Sequence, residues 1–425
     1  MVRSMNDSGE PRIAIISNRY LDEDQRGSEE FLKNLLSMLS EKHEVDLLTS
    51  DIVNLEPLTS PLAKRGKRKS IRIDEHSKVL CFRSHQLISS SAYILHHFLS
   101  TVHKQRGTFF GNLVDSLQFA AWGPYTPGIY KFILKKRYNA ILGSTFPSTP
   151  AYIAFKAALK TNTPFIYSPY LHYRLESITN NNLLSLMLQK SKAVVAMTNQ
   201  EKKELIKLGA KEESTFVIPS YFDYTKIWNL DIDKETAKKS LGLEDKFIIL
   251  TNPHPLKGGI HTLEAAARLS ETQDNIAVVS IGNTKREFLI RSAQIQSRYR
   301  NLKILNMGWV DTKLKWVINY ASDIFCMPSV SDAFGLSYLN AWAVKVPVIA
   351  ASDTSAEDVV SDTIDGFLVK YGSVESIYNS IKSLYENSSM RSSMGFKGFQ
   401  KVTSRYSYEA VKSQYMRLLD YVLDQ

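Results

Sequence analysis

Cysteine is nearly absent from this chain: 425 residues carry two, Cys81 and Cys326. They stand far apart inside apolar, strand-like runs. That excludes a disulfide framework and reads as two buried thiols in a reducing compartment. Long apolar runs are also missing. No stretch approaches the ~18 consecutive apolar residues of a membrane span. Residues 1–10 are polar, and the first apolar run is only Ile13 to Ile16, so no secretory leader is read. The expected place is the cytoplasm. No strand is followed by Gly-x-Gly-x-x-Gly with an acidic residue about 20 positions on, which argues against a nicotinamide dehydrogenase. No convincing Asp-x-Asp or His/Cys metal cluster is found, and no cofactor is expected.

Acidic residues are the minority among charges, 43 against 53 basic, for a net charge of +10. Such an excess fits an anionic partner. It is concentrated at Lys64, Arg65, Lys67, Arg68 and Lys69, with Arg72 close behind. Five like charges repel and cannot be buried unpaired, so this is a solvated loop or a contact with an anionic membrane surface. No nucleic-acid motif accompanies it, so no nucleic-acid partner is expected.

The remaining composition is that of a globular protein, 44% hydrophobic and 23% charged. The length exceeds one ordinary core and predicts two domains. Apolar runs at Ile13–Ile16, Val45–Leu48, Val79–Phe82, Ala140–Leu142, Phe165–Tyr167, Ala193–Ala196 and Phe216–Ile218 predict strands. Phe31, Leu32, Leu35, Leu36 and Leu39 mark a helix between the first two. Strands alternating with helices imply a parallel sheet. Residues 84–138 have poor periodicity. The polar segment 219–245 is read as a linker. A second alternation follows, with strands at 247–250, 277–281 and 302–304, helices at 260–269 and 311–321, and helices from 373 to the end.

Residues 324–369 are the most informative. Strand Ile324 to Met327 ends in Pro328-Ser329. A turn with Phe334-Gly335-Leu336 then opens an apolar helix, and Val348-Ile349-Ala350 is the next strand. Strand, Gly turn, helix, strand is a βαβ unit whose turn lies at the carboxyl end of a parallel strand. The N–H groups of such a helix start can bind an anion, and glycine lets a phosphate approach.

This stretch resembles the donor-site signature of the retaining nucleotide-sugar glycosyltransferases with the GT-B fold (glycosyl transferases group 1). Phe334-Gly335-Leu336, Ala341, Ala343, Pro347-Val348-Ile349-Ala350, Glu357, Val359-Val360 and Gly366 match it. Asp332 and Asn340 occupy the positions of the two family glutamates, and Lys345 that of a glycine. Further matches are partial. Gly27-Ser28-Glu29 resembles the Gly-rich turn that closes over the donor, and Lys257-Gly258 the phosphate-binding Lys-Gly. Asn252 stands where the family has Arg. Ser168-Pro169-Tyr170-Leu171-His172 resembles a strand-end motif whose histidine contacts the transferred sugar, here His172.

The resemblance implies an α/β protein of two Rossmann-like domains facing each other across a cleft. Residues 11–222 form the acceptor-side domain and 223–405 the donor domain, with a terminal helix over 406–425 packing back on the first. The implied activity is transfer of a hexose, with retention, from a UDP- or GDP-linked sugar to a glycan or lipid-linked acceptor. Lys257, Asp332 and His172 would be catalytic. Gly27, Ser28, Asn252, Phe334, Gly335, Leu336 and Asn340 would bind the donor, and His254, if protonated, would add a second cation. No metal is needed for this chemistry, since cations and a helix start stabilise the leaving diphosphate. The basic loop adds peripheral attachment to the inner face of the membrane. A rival expectation is a catalytically impaired relative that binds a nucleotide, a glycan or a partner. Asn340, Asn252, Tyr170 and Lys345 point to it.

Overall fold

The computed structural model describes residues 11–20, 27–53, 64–66, 70–85, 123–171, 182–223 and 232–424, with single positions 91, 95, 117 and 227. They divide into two compact units: residues up to Ile218 with Lys412–Gln425, and Pro219–Val411.

The first unit is built on a sheet of strands β1 (Arg12–Ile16), β2 (Glu44–Ser50), β3 (Ser70–Arg72), β4 (Ser77–Phe82), β5 (Ala140–Ser144), β6 (Phe165–Ser168), β7 (Ala193–Ala196) and β8 (Thr215–Val217). Their order is β3-β4-β2-β1-β5-β6-β7-β8, parallel throughout except for the short β3 on β4. Helices α1 (Gly27–Ser40), α2 (Pro127–Lys136), α3 (Thr149–Thr161), α4 (Asn182–Lys190) and α5 (Asn199–Lys207) connect them. A parallel sheet covered on both faces needs apolar residues on both, so its strands read as unbroken apolar runs. Ile13, Ala14, Ile15 and Ile16 are all fully buried. The antiparallel edge strand Ser-Ile-Arg has no such run and was not anticipated from sequence. Cys81 is only half-buried, whereas burial was expected of both thiols; it lies beyond the last β3 pairing, Ser70 with Leu80.

The second unit has strands β9 (Phe247–Thr251), β10 (Ile276–Ile281), β11 (Lys303–Gly308), β12 (Ile324–Cys326), β13 (Val348–Ala351) and β14 (Gly366–Val369), ordered β11-β10-β9-β12-β13-β14 and all parallel. Its helices are α6 (Lys234–Ser240), α7 (Gly259–Leu269), α8 (Arg286–Arg298), α9 (Thr312–Ala321), α10 (Leu336–Ala343), α11 (Val374–Glu386) and α12 (Ser388–Ser404). The last helix, α13 (Tyr408–Leu423), carries the residues from Lys412 that belong to the first unit. There Tyr415 packs on Phe31 and Tyr421 on Phe216.

The segment read as a linker is in part ordered. Helix α6 is held by Asp323, which pairs with Lys234 at 2.6 Å and Lys238 at 2.9 Å and accepts the Ile248 N–H at 2.8 Å. Short, charged helices give little periodic signal; a tertiary ion pair decides this one. Helix α12 lies close on α10 because Gly395 and Gly398 have no side chains. A Cβ at Gly398 would overlap the Trp342 ring, and one at Gly395 the Lys345 carbonyl.

Candidate active site

In a parallel sheet, ligands bind at the carboxyl ends of strands where the order reverses. In the second unit that point lies between β9 and β12. Two loops leave the sheet there, 252–258 after β9 and 327–335 after β12. They are stitched together: Val330 N–H donates to the Leu256 carbonyl at 2.9 Å, and Ser329 Oγ donates to the same oxygen at 3.1 Å. Gly258 sits at φ +75, and a Cβ there would lie 2.5 Å from the Pro328 carbonyl. Only glycine permits this close approach.

The consequence is a fixed pair. Lys257 Nζ forms an ion pair with Asp332 Oδ1 and donates to the Ser331 carbonyl at 3.3 Å. An ammonium has three donors, so one remains. Asp332 Oδ2 is buried without a hydrogen-bond partner. Its backbone carbonyl accepts from the buried Ser355 hydroxyl at 2.5 Å. An orphaned carboxylate oxygen inside a protein is costly unless something donates to it. The site therefore presents a spare cationic donor beside a spare anionic acceptor.

Gly335 caps α10 at φ +92 with no side-chain cap. Beneath it Tyr338, fully buried, anchors its hydroxyl on the Met327 carbonyl at 2.8 Å. A Cβ at Gly335 would meet that ring at 2.5 Å. Phe334 is buried edge-on against Tyr406 at 5.4 Å. The turn is thus rigid, and its uncapped N–H groups carry the positive end of the helix dipole. Asn340 is half-buried in the same helix. Tyr338 was not anticipated, although its spacing of three from Gly335 was visible.

Two expected donor contacts have local structural partners. Asn252 Oδ1 accepts the His254 N–H at 3.0 Å, an Asx turn that starts the loop. His254 Nδ1 accepts the Leu256 N–H at 3.3 Å. Burial, then the charges of Lys257 and Lys285, push its pKa below the usual 6.5. His254 is therefore neutral at pH 7, and the expectation of a second cation there is corrected. Its Nε2 carries the proton as a neutral donor.

In the first unit, Gly27 and Ser28 are the opening residues of α1. His172 lies outside the described residues. Just before it, Tyr170 is buried at φ +50 and Leu171 N–H donates to Glu201 Oε1 at 2.6 Å. Lys64 and Arg65 are exposed, and Arg65 bridges to Ile52; Lys67, Arg68 and Lys69 lie outside the described residues. Among the described residues no metal-binding cluster occurs and no helix is long and apolar enough to cross a membrane.

Residues 232–401, which contain this constellation, match the family described as Glycosyl transferases group 1. That part of the chain resembles the group 1 glycosyl transferases. A capsular polysaccharide biosynthesis glycosyltransferase, CapM, of Staphylococcus aureus is 24% identical over 62% of this chain and 73% of its own length. A UDP-Gal:α-D-GlcNAc-diphosphoundecaprenol α-1,3-galactosyltransferase of Escherichia coli is 23% identical over 60% of this chain and 68% of its own. Other curated relatives are matched over 32–63% of their length. The fold is shared with HepE of Anabaena, solved in complex with UDP and glucose, at a TM-score of 0.70 and 16% identity over 96% of this chain and 99% of that one. The chain thus has the GT-B fold, two Rossmann-like α/β units.

Proposed function

We propose that the chain is a retaining hexosyltransferase that takes its sugar from a nucleotide diphosphate and gives it to a glycan or lipid-linked acceptor. The observation that carries this reading is the Lys257–Asp332 pair beside the uncapped Gly335 helix start. The bond from the sugar C1 to the diphosphate breaks with its electron pair going to phosphate oxygen. The acceptor oxygen bonds to C1, and its proton leaves to the diphosphate. Negative charge grows on the leaving group, and a preorganised cation and helix start are what that charge needs. Lys257 supplies its third N–H there. Asp332 Oδ2 accepts from a sugar hydroxyl. Asn340 holds the ribose with neutral hydrogen bonds, worth ~0.5–1.5 kcal/mol each.

Support for the donor comes from the UDP and glucose held by HepE. Support for a lipid-linked acceptor comes from the diphosphoundecaprenol named for the E. coli relative and from the exposed Lys64 and Arg65, which suit an anionic membrane surface. The test is nucleotide-sugar hydrolysis. UDP- or GDP-hexose should be hydrolysed slowly to free sugar, and the same nucleotide should raise Tm. At ~100 times its Kd a ligand adds ~2.7 kcal/mol. A nucleotide shift with no hydrolysis and no transfer would leave a binding protein instead.

A further inference from the structure

The turn that carries Lys257 is written as Asn252-Pro253-His254-Pro255-Leu256-Lys257, and its two prolines leave it few backbone donors. Those that remain are paired one after another. His254 N–H donates to Asn252 Oδ1 at 3.0 Å, Leu256 N–H to His254 Nδ1 at 3.3 Å, and Lys257 N–H to the His254 carbonyl at 2.9 Å. His254 is thus the N-cap of the short 3-10 turn Pro255–Lys257. It sits at φ −70 and ψ 136, the extended form that a residue before proline prefers. Gly258 closes the turn by donating to the Pro255 carbonyl at 3.2 Å.

Leu256 is where this turn meets the second loop. Its N–H is held by the imidazole, and its carbonyl accepts Val330 N–H at 2.9 Å and Ser329 Oγ at 3.1 Å. The next residue is Lys257, whose ammonium pairs with Asp332 and donates to the Ser331 carbonyl. An N-cap is ordinarily serine, threonine, aspartate or asparagine, whose oxygen accepts throughout the neutral range. Histidine differs: a neutral Nδ1 accepts, whereas a protonated Nδ1 donates. Against Leu256 N–H, a protonated ring would set donor against donor. The charged groups that face the imidazole are Lys257 of its own turn, Lys285 just before α8, and Asp332 of loop 327–335. Burial and the two ammoniums hold the ring neutral, with its pKa below 6.5, against the weaker pull of Asp332.

We propose that His254 is a positioning residue and a pH latch of the donor site: its neutral Nδ1 holds the turn that aims Lys257, and a proton taken up at Nδ1 releases the turn and lowers turnover. This rests on the glycosyltransferase function above. Because the folded turn favours the neutral ring, the latch is shut at pH 7 and opens as pH falls through the lowered pKa.

The variants His254→Asn and His254→Ala test this. Asparagine supplies a cap oxygen that does not titrate, and alanine supplies none. Hydrolysis of UDP- or GDP-hexose, and transfer from it, are followed between about pH 5 and 8. The parent should lose turnover as pH falls below the usual histidine range. The loss should be larger in kcat than in KM, since Lys257 acts on charge that grows during the reaction. His254→Ala should be roughly tenfold slower near neutral pH. His254→Asn should recover most of that loss and hold its rate down through the parent's midpoint. A parent whose turnover rises as pH falls overturns the latch, because the imidazolium would then act as a second cation. So does a His254→Asn variant that keeps the parent's acid limb or is no faster than His254→Ala, and so does a His254→Ala variant as fast as the parent. The nitrogen-15 shifts of the imidazole read the cap without turnover. Nδ1 should be bare at neutral pH, and a proton found on it there overturns the cap. If the parent neither hydrolyses nor transfers any hexose, the glycosyltransferase reading fails alone, and the nitrogen-15 shifts still judge the cap.

Discussion

At the scale of single residues, the proposed donor site would depend on one ammonium. Lys257 is 21% exposed in its side chain and faces Asp332 at 17%. In the proposed site, removing it would leave the half-buried Asp332 without its cation and deprive the leaving group of a side-chain cation. Lys257→Ala should lower turnover roughly 10²–10³-fold, the usual scale for losing one such stabiliser, measured as initial rate at saturating donor. Unchanged turnover would displace Lys257 from the site. A second residue sets a pH dependence. Glu201 is fully buried, and its two oxygens accept Leu171 N–H at 2.6 Å and Met197 N–H at 2.7 Å. Burial outweighs these bonds and pushes its pKa up to about 7 from 4.5. The folded state therefore holds the proton more tightly than the unfolded one. Its contribution to stability is full below about pH 4.5, declines as pH rises to about 7, and changes no further above that. The stability difference between the parent and Glu201→Gln, from urea unfolding at several pH values, should change across this window and be flat above it.

At the scale of elements, the turn between α10 and β13 holds a conflict. Lys345 sits at φ +61, a left-handed conformation that a side chain disfavours. The family has glycine at this place, and the geometry gives the reason. Lys345 recovers something by laying its ammonium 5.1 Å from the Phe399 ring of α12, and it is otherwise exposed. Relief of the strain exceeds the entropy that glycine adds to the unfolded chain. Lys345→Gly should therefore raise stability by about 0.5–1 kcal/mol, seen as a Tm increase of a few degrees. A fall in Tm would mean that the contact with Phe399 outweighs the strain. Sequence showed the substitution but not its φ, which depends on α12 pinning the turn through Gly395.

At the scale of the molecule, charge is the property that acts at a distance. The net +10 is carried partly by Lys64 and Arg65, tied by the Ile52 bridge to the carboxyl-end extension of β2. Binding to vesicles containing anionic phospholipid should fall steeply between low and 0.5 M salt, since the field decays within ~10 Å at 0.1 M. Replacing Lys64, Arg65, Lys67, Arg68 and Lys69 by Ser should abolish vesicle binding and leave the nucleotide-induced Tm shift unchanged, both read by sedimentation and thermal melts. Equal vesicle binding by parent and variant leaves the segment a solvated loop.

The sequence by itself determined the parts that are local. Short unbroken apolar runs at Ile13–Ile16 and Phe247–Leu250, bounded by polar residues, read as strands buried on both faces. Gly335 before Leu336 marks an uncapped helix start because the turn is written in adjacent residues. Tertiary structure alone decided what depends on distant partners. Lys257 meets Asp332 across 75 positions because Gly258 lets one loop touch another. His254 is neutral because burial and neighbouring lysines disfavour its charge. Asn252 has a turn to hold, and α6 exists because Asp323 anchors it.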